Sequence, residues 1–133
     1  MAFPTSGKAS TYSNHFEHRQ TSSGDIYLHS GYTAALLPKA NWYALPMGTR
    51  LRLTSGSRQV VVKVNDRGAG KVDPHDGHDV DPGRVLDLSR AAMAVLLGKA
   101  TSQITNGNAS VIQVQKIEVV PDTTPLGPVG KKP

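Results

Sequence analysis

The 133-residue chain contains no cysteine, a single tryptophan and two phenylalanines. Without cysteine there can be no disulfide, no thiolate metal centre and no cysteine nucleophile. That absence does not assign a compartment, since many envelope proteins also lack the residue. No apolar run approaches the ~20 residues of a membrane span, and the N-terminus carries no apolar leader core. No phosphate loop, Gly-x-Ser-x-Gly or His-Glu-x-x-His occurs, so the commonest phosphoryl, serine-hydrolase and zinc-protease signatures are missing. Aromatic residues make up only 5%. The basic residues are scattered without interleaved aromatics, which sets nucleic acid aside as a partner.

What the chain does have is turn chemistry: 13 glycines and 9 prolines against 38% hydrophobic residues. A chain of this length and composition suits one turn-rich domain with a core of its own. The formal charge is +5, which favours polyanionic surroundings: nucleic acid, anionic lipid or bacterial wall polymers. Six of the ten carboxylates fall between residues 66 and 87 (Asp66, Asp73, Asp76, Asp79, Asp81 and Asp87). An acidic patch on a basic body fits a localised site better than a uniform phosphate-binding surface.

The pattern along the chain reads as short strands. Residues 1–6 are expected to form a flexible arm, and "GKASTYS" (7–13) suits a strand. A turn follows at Ser22-Ser23-Gly24-Asp25, while "GYTAALL" (31–37) is ambiguous. In "GTRLRLT" Leu51 and Leu53 alternate with Arg50 and Arg52, and Ser55-Gly56-Ser57 turns the chain into "QVVVKV", predicting a hairpin. Asn65-Asp66-Arg67-Gly68 is expected to end that second strand, because Asn, Asp and Gly favour turns. "RVLDLS" is a further strand. Ser89, or Asp87 before it, is placed to cap "RAAMAVLLGK", with Ala91, Ala92, Val95 and Leu96 on one helical face and Gly98 as the stop. In "SVIQVQKIEVV" Val114 and Ile117 are out of phase, predicting a bulge near Gln115-Lys116. Residues 121–133, with four prolines, read as a tail.

Three acids stand out. A carboxylate at the end of an apolar strand, as at Asp66, is in a setting that suits carboxyl groups to proton transfer. The same tetrapeptide also closes an ordinary turn. Asp25 sits in a turn, and Asp87 precedes a helix whose free N–H groups it could cap. Cleavage of a glycosidic bond needs an acid/base and a second carboxylate to steady positive charge on the sugar. The loop "DPHDGHDVD" offers His75, His78, Asp76 and Asp79 as weak metal ligands, against the plainer reading of a solvated acidic loop. No cofactor is expected. Trp42 and Tyr43 suit either sugar stacking or the plugging of a barrel end.

Taken in order, "GKASTYS", "TAA…LPMGTRLRLT", "VVVKVNDRG" and "GRVLDLSRAAMAVL" resemble the rare lipoprotein A domain over residues 7–120. More distantly they are similar to the expansin and family-45 endoglucanase barrels. The resemblance implies an all-β fold, a six-stranded double-psi β-barrel with one short inserted helix. It also implies lytic transglycosylase activity on peptidoglycan, breaking the bond between N-acetylmuramic acid and N-acetylglucosamine to give a 1,6-anhydro product without water. By resemblance Asp66 is the acid/base, Asp25 stands where the family has glutamate, and Asp87 matches the acid of the expansin-like "DLS" strand. Asn65 and Arg67 would orient the site, with Trp42 and Tyr12 as sugar platforms. The family's "TAAH" histidine is absent, its position falling on Leu36 or, counted back from Leu45-Pro46, on Trp42. This leaves a divergent transglycosylase, or alternatively a non-catalytic peptidoglycan-binding module, as the expected function. The expected setting is the periplasm or cell envelope, for a monomer with a removed signal sequence, no transmembrane segment and no nucleic-acid partner.

Overall fold

The valine run and the leucines facing it form the centre of the sheet in the computed structural model, which describes residues 5–11, 18, 20–21, 23–37, 45–67, 84–104 and 111–129. Strand β3 (Arg50–Ser55) pairs antiparallel with β4 (Arg58–Arg67) through the two-residue turn Gly56-Ser57. Leu51, Leu53, Val60, Val62 and Val64 are fully buried. Each such side chain contributes about 2 kcal/mol relative to exposure.

Strands β1 (Gly7–Thr11), β2 (Thr33–Leu36) and β5 (Arg84–Leu88) complete the middle of the sheet. β1 runs parallel to β5, β2 runs parallel to β4, and β2 lies antiparallel to β5. All three pairings join strands that are not consecutive in the sequence. β6 (Ile112–Val114) pairs with β1, and β7 (Lys116–Val120) pairs with β3. The two are one strand interrupted at Gln115, as the hydrophobic phase predicts. The Ile117 N–H donates to the Thr5 carbonyl at 2.7 Å, drawing β7 toward the start of β1 and nearly closing the barrel. Counting β6 and β7 as one strand, and leaving aside a two-residue strand at Gly127–Pro128, gives the six expected. A short β8 (Gly127–Pro128) lies on β4 at Val60 and Val61, so part of the segment read as a tail returns to the sheet.

The ambiguous "TAAL" segment is a strand because it fills the slot between β4 and β5, where Ala34 and Leu36 enter the core. β4 does not end at Asn65: it continues to Arg67, because Asp66 and Arg67 pair with Ala35 and Leu36. Turn propensity yields there to a long-range ladder. Helix α1 (Arg90–Leu97) is capped by Ser89, whose hydroxyl accepts from Ala92 N–H, and ends at Gly98. Asp87 is not the cap. The helix is buried more fully than one face implies, since Met93 and Ala94 enter the core while Val95 is half-buried. Among the described residues no helix is long and apolar enough to cross a membrane.

Candidate functional site

The two parallel pairings each carry one extra residue, and the one in β4 shapes the site. Ala34 pairs with Val64, but Ala35 pairs with Asp66, so both Asn65 and Asp66 stand opposite Ala35. In strict alternation Asp66 would share the inward phase of Val60, Val62 and Val64. The bulge shifts the phase by one and puts Asp66 on the outward face. The same row continues across the sheet: Ala35 pairs with Asp87 of β5, and Asp87 pairs with Ser10 of β1. Asp66 and Asp87 therefore flank the small Ala35 on one face. Two strand spacings separate their backbones, about 10 Å.

Asp66 is half-buried, and its Oδ1 accepts from the Arg67 N–H at 2.9 Å. The Arg67 guanidinium reaches the Leu45 carbonyl at 3.3 Å, tying the strand end to the segment before β3. Asp87 accepts from the Ser10 hydroxyl. Tyr27 is buried against Ala35, and its hydroxyl lies 2.8 Å from His29 Nδ1.

Asp25 comes to the same place from a turn. Gly24, with φ +93° that a side chain would resist, closes the bend. Thr21 then holds the Asp25 carbonyl with both its N–H and its hydroxyl, at 2.8 and 3.0 Å. The bulge residue anchors this turn twice. The Asn65 carbonyl accepts from Ser23 N–H at 3.1 Å, and its side-chain amide donates to Asp25 Oδ2 at 3.5 Å. Lys63, two residues earlier on the same face, places Nζ 3.3 Å from that oxygen. The lysine's hydrogen bond, followed by weaker contributions from its charge and from Asn65 and Ser23, holds the Asp25 carboxyl below the usual carboxylate range against the opposing effect of burial. Asn65 is only 2% exposed, and its Oδ1 has no hydrogen-bond partner among the described residues.

Asn65 thus joins the Asp25 turn to the Asp66 strand, while Asp87 and Ser10 form the far end of the row. Leu36, one position to which the missing histidine maps, is fully buried in the core. Tyr12, Trp42, His75, His78, Asp76 and Asp79 lie outside the described residues. Sequence reasoning missed Lys63, Ser10 and Tyr27. Of these only Lys63 left a signal: a lone charge inside a valine strand is costly unless paired.

A double-psi β-barrel family model described as lytic transglycolase matches residues 5–115. An endolytic peptidoglycan transglycosylase RlpA from Yersinia pestis is 34% identical over 128 residues, covering 95% of this chain and 29% of the relative. Its namesake from Vibrio cholerae is 37% identical over 116 residues, covering 86% of this chain and 38% of the relative. The chain thus spans about a third of the length of these curated relatives. Among solved structures, apo expansin from Clavibacter michiganensis superposes with a TM-score of 0.52 at 23% identity, covering 89% of this chain and 50% of the other. That likeness bears on the fold alone.

Proposed function

The chain belongs to the double-psi β-barrel family of lytic transglycolases, and from that premise we propose that it cleaves peptidoglycan glycan strands in the cell envelope. Asp66 is the acid/base. It gives its proton to the glycosidic oxygen as the bond from the muramyl C1 to that oxygen breaks. The resulting carboxylate then takes the proton of the muramyl 6-hydroxyl as O6 closes on C1. Asp66 ends protonated again, and the product is a 1,6-anhydro sugar with no water consumed. Asp25 remains ionised beside Lys63 and steadies the positive charge that develops on the ring. Asp87 would contact the sugar from the other side of Ala35.

The observation that carries this reading is the bulge at Asn65, which turns Asp66 outward and binds the turn that bears Asp25. Mass spectrometry of peptide-stripped glycan strands, incubated with wild type and with Asp66→Asn, tests it. Anhydro-muramyl products from wild type alone are expected. The buried leucine at position 36 favours a second reading, a barrel that binds the wall without cutting it. Sedimentation with the glycan by both proteins, with products from neither, would establish that reading instead.

A further inference from the structure

Asp25 lies outside every strand of the barrel. Among the described residues, its turn has no ladder to fix it in place apart from the bridge between Gln20 and Ile26. Its carboxylate must nevertheless be set relative to Asp66, which is part of the sheet. The side chain is one methylene shorter than glutamate, so it gains less reach of its own.

We propose that Lys63 and Asn65 are positioning residues that clamp the Asp25 carboxylate to the outer face of β4 and so fix its place relative to Asp66; this deepens the transglycosylase reading and rests on it. Both grips fall on one oxygen. Lys63 Nζ is 3.3 Å from Asp25 Oδ2, and Asn65 Nδ2 is 3.5 Å from it. The Asn65 carbonyl secures the backbone of the same turn through Ser23 N–H at 3.1 Å. Lys63 and Asn65 belong to β4 and bracket Val64, so the geometry of the clamp is that of the strand that carries Asp66. No loop has to close for it to form.

The clamp also divides the labour between two acids. A proton shared between Asp25 and Asp66 would leave neither role defined. Among the described residues, the groups acting on Asp25 are Lys63 and Asn65 from β4 and Ser23 from its own turn. Lys63 is the charged one, and it keeps the proton off Asp25 while Asp66 supplies one. Lys63 acts through Asp25 and is not assigned a contact with the reacting bond.

The test compares wild type, Lys63→Met and Lys63→Arg in two measurements. One is the pH profile of anhydro-product release from peptide-stripped glycan. The other is the titration of the Asp25 side-chain carboxyl followed by ¹³C NMR, which needs no activity. The lysine side chain is 34% exposed, so the methionine variant is expected to fold. In Lys63→Met the Asp25 titration should move up, the acid limb of the rate profile should move with it, and kcat should fall about ten- to a hundred-fold with KM changed less. Lys63→Arg should keep most of the wild-type rate and the low Asp25 titration. A Lys63→Met protein whose Asp25 titrates as in wild type would overturn the clamp, whether or not the chain is active. An active Lys63→Met with an unmoved acid limb and kcat would overturn its role in the reaction. A wild type that releases no product would defeat the activity reading separately, leaving the NMR titration to decide the clamp.

Discussion

The Ser10 hydroxyl donates to the Asp87 carboxylate across the parallel pair β1 and β5, joining positions 77 residues apart in sequence. Because Asp87 shares its row with Ala35 and Asp66, this contact sets the far end of the proposed site. Ser10 itself is almost fully buried. Ser10→Ala is therefore expected to cost about 1.5–3 kcal/mol, the range for a hydrogen bond to a charged acceptor. Urea denaturation measures that cost. Product release should fall, but by less than in Asp66→Asn, since Asp87 keeps its place in the strand. Equal loss in both variants would mean that Asp87 carries more of the chemistry than a sugar contact does.

The Asp25–Lys63 pair makes stability depend on acid in a defined direction. Lys63 lowers the folded-state titration of Asp25 below its ordinary value. The ionised carboxylate therefore favours the folded state at pH values above the unfolded-state titration, and that contribution is lost as pH falls through the folded-state value. Glu118, held low first by the Arg52 hydrogen bond, acts in the same direction. Thermal melts from neutral to strongly acidic pH should show wild type losing stability more steeply than Lys63→Met. The difference between the two should shrink at the acid end. Added salt should reduce it as well, because the pair is partly exposed. Parallel curves would show that the pair contributes no pH-dependent stability.

Gly98 ends α1 in the left-handed conformation, with φ 69° and ψ 35°. Its N–H caps the carbonyls of Ala94 and Val95, and a Cβ there would land on the Arg58 guanidinium. The arginine tip can move aside, so backbone strain is the main penalty. Gly98→Ala should cost about 1–2 kcal/mol. Its melting temperature should fall while product release at a permissive temperature matches wild type. A loss of activity without a loss of stability would tie this helix end to the site.

Local signals in the sequence made the β3–β4 hairpin, the Ser89 cap, the Gly98 stop and the break at Gln115 legible. Each depends on neighbouring residues, and period or turn chemistry reports on neighbours. The strand character of "TAAL" and the continuation of β4 through Asp66 were not legible in the same way. Both are decided by pairing across 30 residues or more, and such pairing overrides the turn preference of Asn-Asp. The three acids could be named from their types and from the resemblance. That Asp66 shares the outward face of Asp87 depends on one extra residue opposite Ala35, and no periodicity announces such a bulge. Lys63 shows the gap in small form. Its charge was visible in the strand, but its partner lay 38 positions earlier.

Asn65 allows the geometry of the site to be separated from the stability of the fold. Asn65→Ala keeps the bulge and the carbonyl that holds Ser23, and removes only the amide on Asp25. It also removes a buried Oδ1 that has no partner among the described residues, and the loss of an unmet acceptor offsets the loss of a long hydrogen bond. The melting temperature should therefore change little, while product release falls about ten-fold. Deleting Asn65 goes further. Asp66 would then follow Val64 directly and still face outward opposite Ala35, now in a regular ladder. Both Asn65 anchors of the Asp25 turn would be gone, leaving Lys63 as its one grip from β4 among the described residues, and release should fall about a hundred-fold or more. A graded loss across the two variants, with the barrel still folded by circular dichroism, is the expected outcome. Full activity in the deletion would show that Asp66 works without the Asn65 half of the clamp on Asp25.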